Sequence, residues 1–145
     1  MTDLEIAAID HIVLRTSKLD EMLDFYCRLL GCRVERETGA ELGLVQLRAG
    51  NALIDLVTLD GELGRKGGGP PGKSGNNLDH FCLQLKPISE VEISEQLAAH
   101  GIEAGDFEDR YGAEGIGRSI YIQDPEGNTV ELRSRASSGE RRQNI

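Results

Sequence analysis

Apolar and polar residues alternate through "IDHIVLR", residues 9–15, with the period of a half-buried strand. The period then changes. Leu19, Met22, Leu23, Tyr26, Leu29 and Leu30 recur at helical spacing. Ser17 with Asp20 resembles a capping box at the start of this helix, and Gly31 suits the position just past its end. "CRVERE", "LGLVQLRAG" and "NALIDLVTL" read as three strands, the last two joined around Gly50 and Asn51. Residues 60–77, "DGELGRKGGGPPGKSGNN", lack a periodic apolar pattern and predict a linker or mobile loop. Alternation returns in "LDHFCLQL". Ser89 and Glu92 form a second capping box, "EVEISEQLAAHG" is a helix ending at Gly101, and "IEAGDFEDRYGAEGIG" holds a short strand and a Gly-rich loop. "RSIYIQDPEGNTVELRS" is a hairpin turning at residues 124–127.

The two halves spell one pattern twice: strand, helix, strand, strand, strand. His11 and His80 lie 69 positions apart (80 − 11), and Gly31 and Gly101 lie 70 apart (101 − 31). "GNALIDL" and "GNTVEL" align with one gap, pairing Asp55 with Glu131. Landmarks in one order at nearly one offset mark an internal duplication. The expected organisation is a first module over 6–60, a Gly/Pro-rich linker over 61–76, a second module over 77–134 and a flexible polar tail over 135–145.

Duplication gives the histidines a chemical reading. A lone His in a strand is most often a satisfied core residue, but here each half pairs a His in its first strand with a carboxylate in its last. Halves packed about a pseudo-twofold axis would bring two imidazoles and two carboxylates together, a mixed N/O donor set for Zn, Ni, Mn, Fe or Co. Asp55 lies between Ile54 and Leu56, and Glu131 between Val130 and Leu132, so each carboxylate faces away from its apolar neighbours. His100, just before Gly101, reads as a helix C-terminal His favoured by the dipole. "GGGPPGKSG" lacks the spacing of a phosphate-binding loop.

Composition narrows the setting. The chain has 145 residues, 39% hydrophobic and 4% aromatic with no Trp, so Leu, Ile and Val must build the core. A net charge of −9 gives little attraction to a nucleic-acid backbone. No secretory pattern and no membrane-length apolar run occurs in the sequence. The three cysteines, Cys27, Cys32 and Cys82, lack metal-type spacing; Cys27 and Cys82 sit in apolar runs and read as buried thiols of a reducing compartment, with the cytoplasm expected.

"DHIVLRTSKLDEMLDFYCRLLG", "NALIDLV", "LDHFCLQL" and "IYIQDPEGNTVEL" together resemble the vicinal oxygen chelate superfamily, over roughly residues 6–134. Glyoxalase I, methylmalonyl-CoA epimerase, fosfomycin-resistance proteins, extradiol dioxygenases and bleomycin-binding proteins belong to it. The resemblance implies an α+β fold of two tandem βαβββ modules, forming a cupped mixed sheet around a divalent metal. The glyoxalase I ligands would correspond to His11, Asp55, His80 and Glu131. Asp55 departs from the pattern, which has Glu or Gln there, and its shorter side chain could act through water. Glu131 would also be the catalytic base. Arg15 matches an arginine that helps hold the glutathione carboxylate.

The implied activity is a glyoxalase-I-like lyase or isomerase, abstracting a proton next to a carbonyl of a small oxygen-chelating substrate. The resemblance also admits a ring-cleaving dioxygenase or a fosfomycin-resistance-type enzyme using His11, His80 and Glu131. "EGIGRSIYIQD" resembles the latter, with Arg118, Ser119 and Tyr121 able to meet a phosphonate. A metal-free bleomycin-resistance-like binding protein is the non-enzymatic alternative. Tyr111 with "GAEG" reads as a lid-like loop over the cup. A homodimer is expected, with neither nucleic acid nor membrane as a partner.

Overall fold

The computed structural model describes residues 4–135. The tail expected to be flexible lies, from residue 136 onward, outside the described residues. The chain forms two compact units, one ending at Pro71 and the other beginning at Gly72.

The first unit runs β1 (His11–Thr16), α1 (Leu19–Leu23), β2 (Arg33–Glu37), β3 (Leu44–Ala49), β4 (Ala52–Thr58) and a short α2 (Glu62–Arg65). Its sheet has the order β1-β4-β3-β2. β1 pairs parallel to β4, placing Val13 beside Asp55 and Arg15 beside Val57. β3 pairs antiparallel to β4, placing Gln46 beside Asp55. Side chains alternate across a sheet, so these pairings sort its two faces. One face buries Leu14, Val45, Leu47, Ile54 and Leu56, and the helix buries Met22, Phe25 and Tyr26. Phe25 and Tyr26 meet edge to face with centroids 4.9 Å apart. The opposite face carries His11, Val13, Arg15, Gln46, Arg48 and Asp55.

Two expectations for the first helix need correction. It begins one residue later than expected, with Lys18 rather than Ser17 at the N-cap position. After α1 the helix widens into π-type geometry over Asp24–Leu29. Leu30 N–H bonds Phe25 O at 3.1 Å, five residues back, and Cys32 N–H bonds Tyr26 O at 2.9 Å. Gly31 ends it at φ 80°, as expected of the residue after a helix. The bulge in β2 between Val34 and Arg36 also has no sequence signal.

The second unit repeats the plan: β5 (Phe81–Leu85), α3 (Glu90–Ala99), β6 (Glu108–Gly112), β7 (Gly115–Gln123) and β8 (Thr129–Ser134). Its sheet order is β5-β8-β7-β6. β5 pairs parallel to β8, with Cys82 beside Glu131. β7 pairs antiparallel to β8, with Tyr121 beside Glu131 and Ser119 beside Arg133. Ile120, Ile122, Val130 and Leu132 are buried on one face, and Ile93 and Leu97 of α3 are buried one helical turn apart. The other face carries Cys82, Gln84, Ser119, Tyr121, Glu131 and Arg133.

Here the local sequence signals operate as expected. Ser89 Oγ accepts the Glu92 N–H at 3.1 Å and donates to the Glu92 carboxylate at 3.1 Å. At the other end Gly101 N–H bonds Ala98 O and Ile102 N–H bonds Leu97 O, a Schellman motif with Gly101 at φ 68°. Asp124 Oδ1 accepts N–H bonds from Glu126 and Asn128 at 2.9 and 3.0 Å, closing the predicted turn.

The Gly/Pro-rich stretch is not structureless at its start, because α2 lies within it. A Cβ on Gly64 would stand 1.8 Å from Thr58 O, so only glycine lets α2 approach the end of β4 this closely. Cys82 is exposed rather than buried, since it lies on the polar face of β5; Cys32 is the buried thiol.

Candidate functional site

His11 opens β1, and His80 immediately precedes β5, one residue short of the strand expected to contain it. Each histidine follows an aspartate. Nδ1 of His11 lies 2.6 Å from Asp10 Oδ1, and Nδ1 of His80 lies 2.7 Å from Asp79 Oδ2. A carboxylate only accepts, so in both cases Nδ1 carries the proton, and a neutral ring then offers Nε2 as a lone-pair donor. Carboxylate–histidine pairs of this kind fix the tautomer and ring orientation of metal-ligating histidines.

In the second unit Nε2 of His80 stands 3.2 Å from Glu131 Oε1. Two donors each about 2.0–2.2 Å from one ion stand about 3.0–3.4 Å apart when they are adjacent ligands, and this pair meets that spacing. The Glu131 side chain is 8% exposed and that of His80 33%, so the carboxylate is sunk in the sheet while the imidazole stays accessible. Tyr121 packs edge-on against the His80 ring with centroids 5.2 Å apart, limiting its rotation.

In the first unit Asp55 is buried, and Gln46 Nε2 donates to both of its oxygens at 3.2 and 3.1 Å. Arg36 Nη1 donates in turn to Gln46 Oε1 at 2.9 Å. The carboxylate is thus held by an oriented amide rather than by an ion pair. The hydrogen bond that His11 donates to Asp10 raises the pKa of the imidazole above its usual value; partial desolvation opposes this, and the charge on Asp55 adds to it.

The remaining sequence candidates go elsewhere. Arg15 shares the face of His11 and Asp55, but its guanidinium is occupied: Nε donates to Gly64 O at 3.0 Å, Nη1 to Gly69 O at 3.1 Å and Nη2 to Gly68 O at 2.5 Å. Arg118 lies on the opposite face of β7 from Tyr121 and Glu131. It pairs there with Glu90 of α3 at 3.1 Å and Asp109 at 3.6 Å. Tyr111 is a strand residue of β6, 70% exposed, opposite Ile116 and so also on that other face. Among the described residues no three His, Cys, Asp or Glu side chains cluster closely enough to hold a metal.

Sequence reasoning passed over Asp10 and Asp79, although the repeated Asp-His was in plain view. It also passed over Gln46, Arg110 and Arg133, whose placement depends on strand register. The Cys82 thiol is pushed up to about 12, first by desolvation and then by the charge of Glu131, with Arg133 acting the other way.

Two mixed four-stranded sheets of the same order, each presenting an Asp-oriented His and a buried carboxylate on one face, define a duplicated βαβββ protein. The model of the Glyoxalase/Bleomycin resistance protein/Dioxygenase superfamily matches residues 8–132, and the chain belongs to that family, the vicinal oxygen chelate superfamily. Catechol-2,3-dioxygenase of Bacillus subtilis is 27% identical over 125 residues, 86% of this chain and 40% of that protein. The chain therefore spans less than half the length of that relative. The solved structure of lactoylglutathione lyase from Agrobacterium tumefaciens has a TM-score of 0.63 at 24% identity, covering 89% of this chain and 94% of that one. A fosfomycin resistance protein from Listeria monocytogenes, solved with Mn(II) and 1S,2S-dihydroxypropylphosphonic acid, has a TM-score of 0.65 at 19% identity, covering 89% and 90%. These two likenesses establish the fold.

Proposed function

We propose that the chain is a divalent-metal enzyme of the glyoxalase I kind, a lyase or isomerase that moves a proton next to a carbonyl of a small oxygen-chelating substrate. The candidate ligands are His80 and Glu131 in the second unit and His11 and Asp55 in the first, Asp55 either directly or through water. The observation that carries the reading is the His80–Glu131 pair, 3.2 Å apart, with Asp79 fixing the far side of the ring. The occurrence of a second His and a second buried carboxylate at matching positions of the other unit supports four ligand positions rather than three. A homodimer acting on a small molecule is part of the same reading.

The bound ion would supply Lewis-acid polarisation of a substrate oxygen. The protein supplies the rest. Asp10 and Asp79 orient the two imidazoles, Tyr121 restrains His80, and Gln46 steadies Asp55. Glu131 takes the proton: beside His80 on the polar face of β8, it is the carboxylate placed to accept one from a substrate bound at His80.

A ring-cleaving dioxygenase using His11, His80 and Glu131 is the second reading, favoured by the Bacillus subtilis relative. Glu131→Gln separates the two mechanisms. It keeps the size and one oxygen but is a poor base, so lyase turnover on dicarbonyl–thiol adducts should fall about 10²–10⁴-fold while most of the metal remains. Near-normal turnover with metal retained would overturn the proton-transfer reading. Ring opening of catechols by the wild type would replace it with the dioxygenase.

A further inference from the structure

On the Glu131 face of the second sheet, two residues further along β8, lies Arg133. Its residue surface is only 7% exposed. Its guanidinium lies along the β6–β7 hairpin, where a Cβ on Gly112 would stand 2.1 Å from Nη1 and one on Gly117 2.2 Å from Nη2. Both positions are bare so that a flat cation can rest on them. Nη2 donates to Gly115 O at 3.0 Å and Arg110 O at 3.4 Å. Among the described residues nothing accepts from Nε or Nη1, which leaves three N–H donors of the fork unused.

No carboxylate among the described residues pairs with Arg133. Glu108 pairs with Arg110 and Glu114 with Arg135, while Glu131 lies beside His80. A second guanidinium stands close by. Arg110 Nη1 lies 3.4 Å from Ser119 Oγ, and Ser119 is the strand partner of Arg133; the Arg110 guanidinium also lies 4.4 Å over the Tyr121 ring. In a chain of net charge −9, one catalytic-type face thus carries two guanidinium groups, and one of them is buried without a counter-ion. Burying a charge is costly unless a partner neutralises it. A planar fork with free N–H groups is the geometry that recognises carboxylate and phosphate oxygens.

We propose that Arg133, flanked by Arg110, is an anion-binding subsite that takes the carboxylate or phosphate end of a small substrate. Two residues of strand separate it from Glu131, roughly 7 Å, so the ligand is a short one, with its anionic end at Arg133 and its reacting end at Glu131. That the ligand is the substrate rests on the proposed role of Glu131; the capture of an anion at Arg133 does not.

The test uses inorganic phosphate and malonate as probes, titrated calorimetrically into full-length protein treated with EDTA, so that metal plays no part. Saturable binding of either is expected, and the tighter of the two tells phosphate from carboxylate. Arg133→Met, with its fold checked by circular dichroism, should weaken that binding about tenfold or more, as loss of charge-assisted hydrogen bonds implies. Glu131→Gln should leave it unchanged while removing turnover, which separates this site from the proton-transfer reading. No saturable binding by the wild type, or equal affinity in a folded Arg133→Met, overturns the subsite. If Arg133→Met does not fold, the Arg133 guanidinium nitrogen resonances of the wild type decide: a saturating shift on addition of phosphate or malonate supports the subsite, and none with either overturns it.

Discussion

His11 and His80 differ in sequence context from ordinary strand histidines by one neighbour each, Asp10 and Asp79, and that neighbour sets their chemistry. Each aspartate accepts from Nδ1 and so commits Nε2 to whatever lies on the other side. The cysteines are the contrasting case. Burial pushes the Cys32 thiol up to about 11, and desolvation also raises Cys27. The thiolate is therefore a minor species of Cys32 at pH 8. Native protein treated briefly with iodoacetamide at pH 8 should therefore remain unmodified at Cys32, whereas denatured protein is alkylated there, as read by peptide mass spectrometry. Rapid native alkylation of Cys32 would contradict its burial. At this scale the sequence was informative about which residues matter and poor about what each one touches. His11, Asp55, His80 and Glu131 stood out by repetition. Arg15 and Arg118 stood out by resemblance and Tyr111 by the Gly-rich stretch beside it, and their hydrogen bonds and faces follow from tertiary placement that repetition does not encode.

Among the elements, the second helix obeyed its signals at both ends, the first only at Gly31. Ser89 is followed by Glu92 and a clean helical turn, so local hydrogen bonding decides the start of α3. In the first helix Phe25, Tyr26 and Met22 are all deeply buried, and the π-type widening sets how they are presented. Core packing overrides local propensity there, and a single sequence does not display it. The Gly-rich stretch also gained order from outside itself. Three hydrogen bonds from Arg15 tie carbonyls 64, 68 and 69 to β1. A Cβ on Gly67 would stand 2.2 Å from Arg15 Nε, so glycine is needed for the guanidinium to fit. Hydrogen bonds to a charged group contribute about 1.5–3 kcal/mol each when buried; the outer two here are exposed and contribute less. Arg15→Met should leave the sheet intact and speed native-state tryptic cleavage after Arg65 and Lys66 by about tenfold or more. An unchanged cleavage rate would mean that the strap is held by α2 alone.

For the whole molecule, duplication was the feature most legible in the sequence. It made the two units readable as one plan written twice, and the strand orders β1-β4-β3-β2 and β5-β8-β7-β6 bear this out. In each unit the first and last strands pair in parallel, so the strand that carries the carboxylate runs beside the one that His11 opens or His80 precedes. The family follows from the match over residues 8–132, while the proposed activity turns on a bound metal. The measurement that tests this most directly is the divalent-metal content of untagged protein and of His80→Ala, by plasma mass spectrometry after equilibration with Ni, Zn, Mn, Fe or Co and exhaustive dialysis. The wild type should retain a stoichiometric ion from at least one of the five. His80→Ala should lose it while keeping its circular dichroism spectrum, because the apolar cores built on Leu47, Leu56, Val130 and Leu132 do not depend on the metal. Failure of the wild type to retain any of them, or equal retention by a folded His80→Ala, would contradict the account.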